Sequence, residues 1–140
     1  MGTEYKKENE NKKKYLNQYL KSKKKSELIL EKIEVLRSTQ ISVSMGDGMP
    51  KGNVKSDLSG YMAKLDDLLH ELDTEREMEI LVYKEIEKAI NAVQDVGEQE
   101  ILTRRYILGQ SWEKIAVEIG YSYRHTTKKH GQALKNFRIL

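Results

Sequence analysis

Apolar positions recur along this chain in three different rhythms. From Tyr15 onward, Leu16, Leu20, Ile29, Ile33 and Leu36 return at near-helical intervals, which predicts a helix over roughly 12–37. Its seam is interrupted by the basic run Lys21-Ser22-Lys23-Lys24-Lys25. The residues before it, from Met1 to about Lys14, are polar and lysine-rich without an apolar period, and read as a frayed, solvated tail. A second rhythm starts at Leu58: Tyr61, Leu65, Leu68 and Leu72 follow at the alternating spacing of a coiled-coil seam. It lapses at Asp73-Thr74-Glu75-Arg76 and resumes at Ile80, Tyr83, Ile86, Ile90 and Val93. No Gly or Pro lies between Tyr61 and Val96. One long helix over 57–96 is therefore expected, capped by Ser56 or Asp57, with a register shift near 73–79 and its end marked by Gly97. At ~1.5 Å per residue such a rod reaches ~57 Å, and its apolar stripe needs cover from the first helix, from a second copy of the chain, or from both.

Between these helices, residues 38–56 (STQISVSMGDGMPKGNVKS) hold the only Pro and three Gly, the composition of a loop or hinge. Within it, the alternation Ile41-Ser42-Val43 weakly suggests a short extended segment. After Gly97 the third rhythm is one of short helices and Gly-containing turns. Ile101, Leu102, Tyr106 and Leu108 mark one helix closed by Gly109. Ser111 caps a second, with Trp112, Ile115, Ala116 and Ile119 as its stripe; Gly120 turns the chain, and Ser122 caps a third running toward Leu134. Two short helices joined by a tight Gly-containing turn form the helix-turn-helix pattern, and Ala116 allows the close crossing it needs. The expected fold is all-α, in four segments: a basic tail and N-terminal helix (1–37), a flexible loop (38–56), a long dimerisation helix (57–96) and a helix-turn-helix unit (97–140).

Composition narrows the function. Charged residues make up 34% of the chain against ~25% in an average soluble protein, so narrow seams between amphipathic helices are expected rather than a thick core. The absence of Cys removes disulfides, thiolate zinc sites and thiol nucleophiles, and fits a reducing cytosol. No apolar run approaches the ~18 residues of a membrane span. The net charge of +3 conceals +5 over residues 1–40, −6 over 41–96 and +4 over 97–140, so a polyanion would meet the basic ends.

The third short helix, YRHTTKKHGQ from Tyr123, has few apolar anchors besides Ala133, Leu134 and Phe137. Its exposed face collects Tyr123, Arg124, Thr127 and Lys128, with Lys129 beside them. A helix N-terminus with Arg and Lys suits phosphate, and Arg, Thr and Tyr reach base edges. The same charges would also serve as plain solvated surface. Residues 98–134, EQEILTRRYILGQSWEKIAVEIGYSYRHTTKKHGQAL, resemble the region-four helix-turn-helix of sigma-70-type factors, with an ungapped Ser122-to-Ala133 spacing. The whole chain is similar to small phage-encoded regulators of the ArpU/RinA-like type, which are implicated in switching on late phage genes.

The resemblance implies base-reading roles for Tyr123, Arg124, Thr127 and Lys128, and backbone contacts for Ser111, Trp112, Ser122 and Lys129. Region four usually carries apolar residues where Thr126 and His130 stand. The recognition helix is therefore expected either to pack less tightly here or to give His130 a polar partner. The implied partners are double-stranded DNA, a second copy of the chain and host RNA polymerase, with no membrane and no cofactor. Metal binding is not expected, because His125 and His130 are five residues apart and His70 lies in an acidic stretch. No phosphate loop, nucleophile elbow or HExxH occurs, so the chain is read as a DNA-binding transcriptional regulator and not as an enzyme. Two alternatives stand beside this: a DNA-packaging adaptor resembling a terminase small subunit, and a protein-interaction module. Trp112 reads better as a wedge between helices than as a base-stacking side chain. The acidic run from Asp66 to Glu87 and the Lys21–Lys25 patch are either solvated faces or contact surfaces.

Overall fold

The computed structural model describes residues 2–44 and 54–140, and all regular structure among them is helical. Six helices follow one another: α1 (Gly2–Leu16), α2 (Gln18–Ser44), α3 (Val54–Asn91), α4 (Val96–Tyr106), α5 (Trp112–Ile119) and α6 (Tyr123–Asn136). None is long and apolar enough to cross a membrane. The chain divides into two packing units. One comprises the residues up to Lys21 together with Ile80–Leu140, and the other comprises Ser22–Glu79.

The N-terminal segment is a helix, not a solvated tail. Lys and Glu are good helix formers, and Glu8–Lys12 (3.3 Å) and Glu10–Lys13 (3.4 Å) pair along its surface. Leu16 is fully buried, and Lys12 is nearly so. The Lys12 ammonium donates a 2.8 Å hydrogen bond to the Leu134 carbonyl near the C-terminal end of α6, satisfying one of that helix's unpaired acceptors. A polar segment thus docks through the head group of a lysine, which an apolar periodicity does not register. The backbone ladder crosses Asn17 into α2, with the Asn17 N–H donating to Lys13 O and the Lys21 N–H to Asn17 O.

Part of the expected loop is helical. Residues 38–44 continue α2, including the Ile41–Val43 alternation, and α3 begins at Val54, which places Ser56 and Asp57 inside the helix rather than at its cap. The rest of the segment expected as a loop, residues 45–53, lies outside the described residues. The long helix also stops earlier than Gly97. Asp95 takes an extended conformation and its carboxylate accepts the Glu98 N–H at 3.3 Å, so α4 starts at Val96 with Gly97 in its first turn. Gln99 donates its side-chain amide to the Val93 and Asn91 carbonyls at the end of α3, covering acceptors that the break leaves open.

In the larger unit, Leu16, Ile86, Ala89, Ile90, Val93, Leu102, Tyr106, Ala133, Leu134 and Phe137 form one continuous core, and Ile101 and Ile115 are fully buried too. Leu108, expected in the first short helix, lies beyond the end of α4 and is exposed. The second unit is thinner: Ile29 and Ile33 of α2 and Leu68 and Leu72 of α3 are buried, with Leu30, Leu36 and Leu65 at their margin. Of the apolar positions expected along the long helix, Leu68, Leu72, Ile86, Ile90 and Val93 are buried, whereas Ile80 is exposed.

Candidate nucleic-acid interface

Ser111, Gly120 and Ser122 occupy the cap and turn positions expected of them. Ser111 caps α5, its Oγ accepting the Lys114 N–H at 3.2 Å, and Ser122 caps α6 by accepting the His125 N–H at 3.1 Å. Between them Gly120 ends α5 in the left-handed region (φ 74°), where its N–H and that of Tyr121 close onto Ala116 O. A side chain there would be strained, so glycine fixes the three-residue turn. Of the α5 stripe, Ile115 and Ala116 are buried, and Trp112 and Ile119 are half-buried.

The buried face of α6 is unusually polar. Thr126 is fully buried, and its hydroxyl donates to Ser122 O at 2.8 Å. His130, 7% exposed, shares a 2.8 Å hydrogen bond through Nε2 with the Tyr106 hydroxyl. Thr126 and His130 are therefore packed inside, and each has a hydrogen-bond partner. Burial, reinforced by Lys13 and Arg105, pushes His130 down to about 4, so the imidazole is neutral at pH 7. Burial pushes the Tyr106 hydroxyl up to about 12.

Opposite this face, Tyr123, Arg124 and Lys128 are exposed, and Thr127 is half-buried at their flank with its hydroxyl donating to Arg124 O at 3.0 Å. Arg124 and Lys128, one turn apart, make no ion pair among the described residues, and the first turn of α6 carries no acidic side chain. The helix end and both cations therefore present uncompensated positive charge. Lys129 does not join this stripe. Its ammonium lies 5.3 Å from the centre of the Tyr121 ring, on the flank of α6 where Tyr121 and His125 meet edge to face. It also occupies the space beside Gly97, where an added Cβ would lie 2.6 Å from its Nζ.

Trp112 acts as a wedge. Its ring meets His130 edge to face, with centroids 4.5 Å apart, and carries the Arg105 guanidinium 4.5 Å from its centre. Arg105 and Lys13 are the cations beside the site that periodicity did not single out. Arg105 sits in a helix recognised only by its apolar residues, and Lys13 in the segment read as a tail. Among the described residues no group of three or more His, Asp or Glu side chains is disposed to hold a metal ion. No family model, no curated protein and no solved structure matches the chain.

Proposed function

We propose that this protein is a sequence-specific DNA-binding regulator of transcription, in which α5, the Gly120 turn and α6 work as a helix-turn-helix with α6 in the major groove. One observation carries this: Arg124 and Lys128 stand unpaired on the outer face of the first turns of α6, behind a capped two-helix turn. Tyr123, Arg124, Thr127 and Lys128 are the base-facing residues; Ser111, Trp112 and Ser122 lie near the strand backbone, and Lys129, turned to the other flank, contributes less. A single unit of this kind touches few base pairs, so a second copy adds the affinity. The smaller unit offers a surface for it: Leu28, Val35, Leu36 and Leu68 line a groove edged by Glu31, Lys32, Lys64 and Glu71, charges of both signs that a second copy complements. The likeness to ArpU/RinA-like regulators favours activation of late phage genes with the host polymerase as a further partner.

The test is selection of bound fragments from the genome neighbouring the gene, followed by footprinting and titration. Arg124→Ala and Lys128→Ala are each expected to weaken binding to the selected site by about 5- to 150-fold, the range of one lost base contact. Unchanged binding by both variants would exclude α6 as the reading helix.

A further inference from the structure

A cleft of about 300 Å³ opens beside α6, where α1 and the α1–α2 joint approach α4 and the start of α5. Its walls include Lys13 and Asn17 from the N-terminal segment, Arg105 from α4, Trp112 from α5, and Thr127 and His130 from α6. No carboxylate lines it, so both of its charged groups are cations. Arg105 is already oriented: one guanidinium nitrogen donates to Gln110 O at 3.0 Å and the plane sits over Trp112. That leaves the other guanidinium N–H groups available to a ligand. Among the described residues Lys13 is held only by an exposed pair with Glu10 at 3.4 Å, which water or a competing anion displaces at little cost. The His130 imidazole at the cleft wall, kept neutral mainly by burial and further by Lys13 and Arg105, adds no charge. Thr127 and Trp112 belong both to this cleft and to the face proposed to meet DNA, so a strand lying on Arg124 and Lys128 passes its mouth.

We infer that this cleft takes a backbone phosphate of the bound duplex, held by Lys13 and Arg105 with Asn17 and Thr127 at its edge. The N-terminal helix is then part of the DNA-binding surface rather than an appendage. This rests on the proposed function and extends it to α1. The contact is to phosphate, so it adds affinity and register without sequence preference.

The experiment compares the unaltered chain with Lys13→Gln, Lys13→Arg and a charge-matched control, Lys14→Gln, whose lysine is exposed on the same helix and does not line the cleft. Anisotropy titrations use the selected duplex and an unrelated duplex of equal length between 50 and 200 mM salt, and thermal melts check that each variant is folded. Lys13→Gln is expected to reduce the steepness of the log–log salt dependence by about 0.9, equally on both duplexes. Over that fourfold range its affinity then falls about 3.5-fold less than that of the unaltered chain. Lys13→Arg retains the full slope, and Lys14→Gln changes it by less than half as much as Lys13→Gln. An unchanged slope in Lys13→Gln, or equal effects of Lys13→Gln and Lys14→Gln, overturns the role of the cleft. If Arg124→Ala and Lys128→Ala still weaken binding in that case, α6 remains the reading helix and only α1 is removed from the interface. Failure of the unaltered chain to bind either duplex overturns both.

Discussion

The two packing units use similar helices to different ends. In the larger unit, ten buried residues from α1, α3, α4, α6 and the residues next to them form one core, and four buried polar side chains are partnered, Lys12 to Leu134 O, Glu98 to Asn136, Thr126 to Ser122 O and His130 to Tyr106, while Arg104 Nε is buried without a partner among the described residues. In the smaller unit four buried residues make a seam, the buried hydroxyls of Ser22 and Ser26 find no partner among the described residues, and Leu28, Val35, Met62 and Leu69 remain exposed. Three-dimensional closure around α6 fixes the face it shows to solvent. Both units leave apolar side chains exposed, but in the smaller one Leu28 and Val35 line a groove with the buried Leu68. The first arrangement suits a site whose side chains must be held in place; the second suits a surface awaiting cover.

Core truncation tests that contrast with the largest effects. Phe137 is fully buried in the larger core, and Phe137→Ala is expected to cost about 3–5 kcal/mol in denaturant unfolding. Leu72, 6% exposed in the seam, is expected to cost about 2 kcal/mol as Leu72→Ala, because the neighbouring side chains and water can move into the space. If Leu72→Ala costs as much as Phe137→Ala, the smaller unit is enclosed on a side that the single chain leaves open. A cost that also grows with protein concentration would identify a second copy as the cover.

What the sequence made legible divides along the same line. Signals that act within a few residues were readable: Ser111, Gly120 and Ser122 each do what a cap or a turn residue does, because each needs only its own neighbours. Interactions closed over a long span were not. Lys12 meets a carbonyl 122 residues away, and no periodicity announces a helix that docks through an ammonium group. Gly97 looked like the end of the long helix, whereas Asp95 with Glu98 supplied a stronger start signal two residues earlier. Nor did the resemblance that implies a phosphate contact for Lys129 show that its ammonium lies beside Gly97. The polar residues at 126 and 130 were recognisable as departures. Their partners, a backbone carbonyl on the same helix and a tyrosine on α4, became evident only once the helices were assembled.

The pH response of the larger unit is the next effect in size. In the folded chain His130 titrates near 4, whereas an unfolded histidine titrates near 6.5, so between these values the unfolded state binds the additional proton. Stability is fully present above pH 6.5 and falls as pH drops toward 4. From pH 7 to 4.5 the loss from this one group is roughly 2.5 kcal/mol. Denaturant midpoints across that window should fall for the unaltered chain and much less for His130→Gln, measured against its own value at pH 7. The smaller unit buries no histidine; its His70 is exposed, so hydrogen exchange of amides near Leu68 and Leu72 is expected to change less over the same window. Equal responses in the two units would remove His130 as the cause.

The smallest effect probes how open each unit's outer surface is. Gly131 lies in the interior of α6 and Gly60 in the interior of α3; neither has positive φ, and a Cβ at either would meet nothing within 4 Å. Glycine at such positions leaves the unfolded chain more freedom than alanine does and adds no contact in return. Gly131→Ala and Gly60→Ala are each expected to raise stability by about 0.5–1 kcal/mol. Gly131 follows Lys128 by one turn, on the same outer stretch of α6, but under the proposed function bases are met by the N-terminal residues of that helix. Binding to the selected duplex should therefore stay within about twofold in Gly131→Ala, where a lost base contact would cost several times more. Gly60→Ala separates the units more sharply. If a second copy packs close to α3 there, the added methyl meets it, and the expected gain disappears at high protein concentration while persisting at low. A gain at both concentrations would leave Gly60 in solvent and move the partner surface toward the groove around Leu28, Val35 and Leu68.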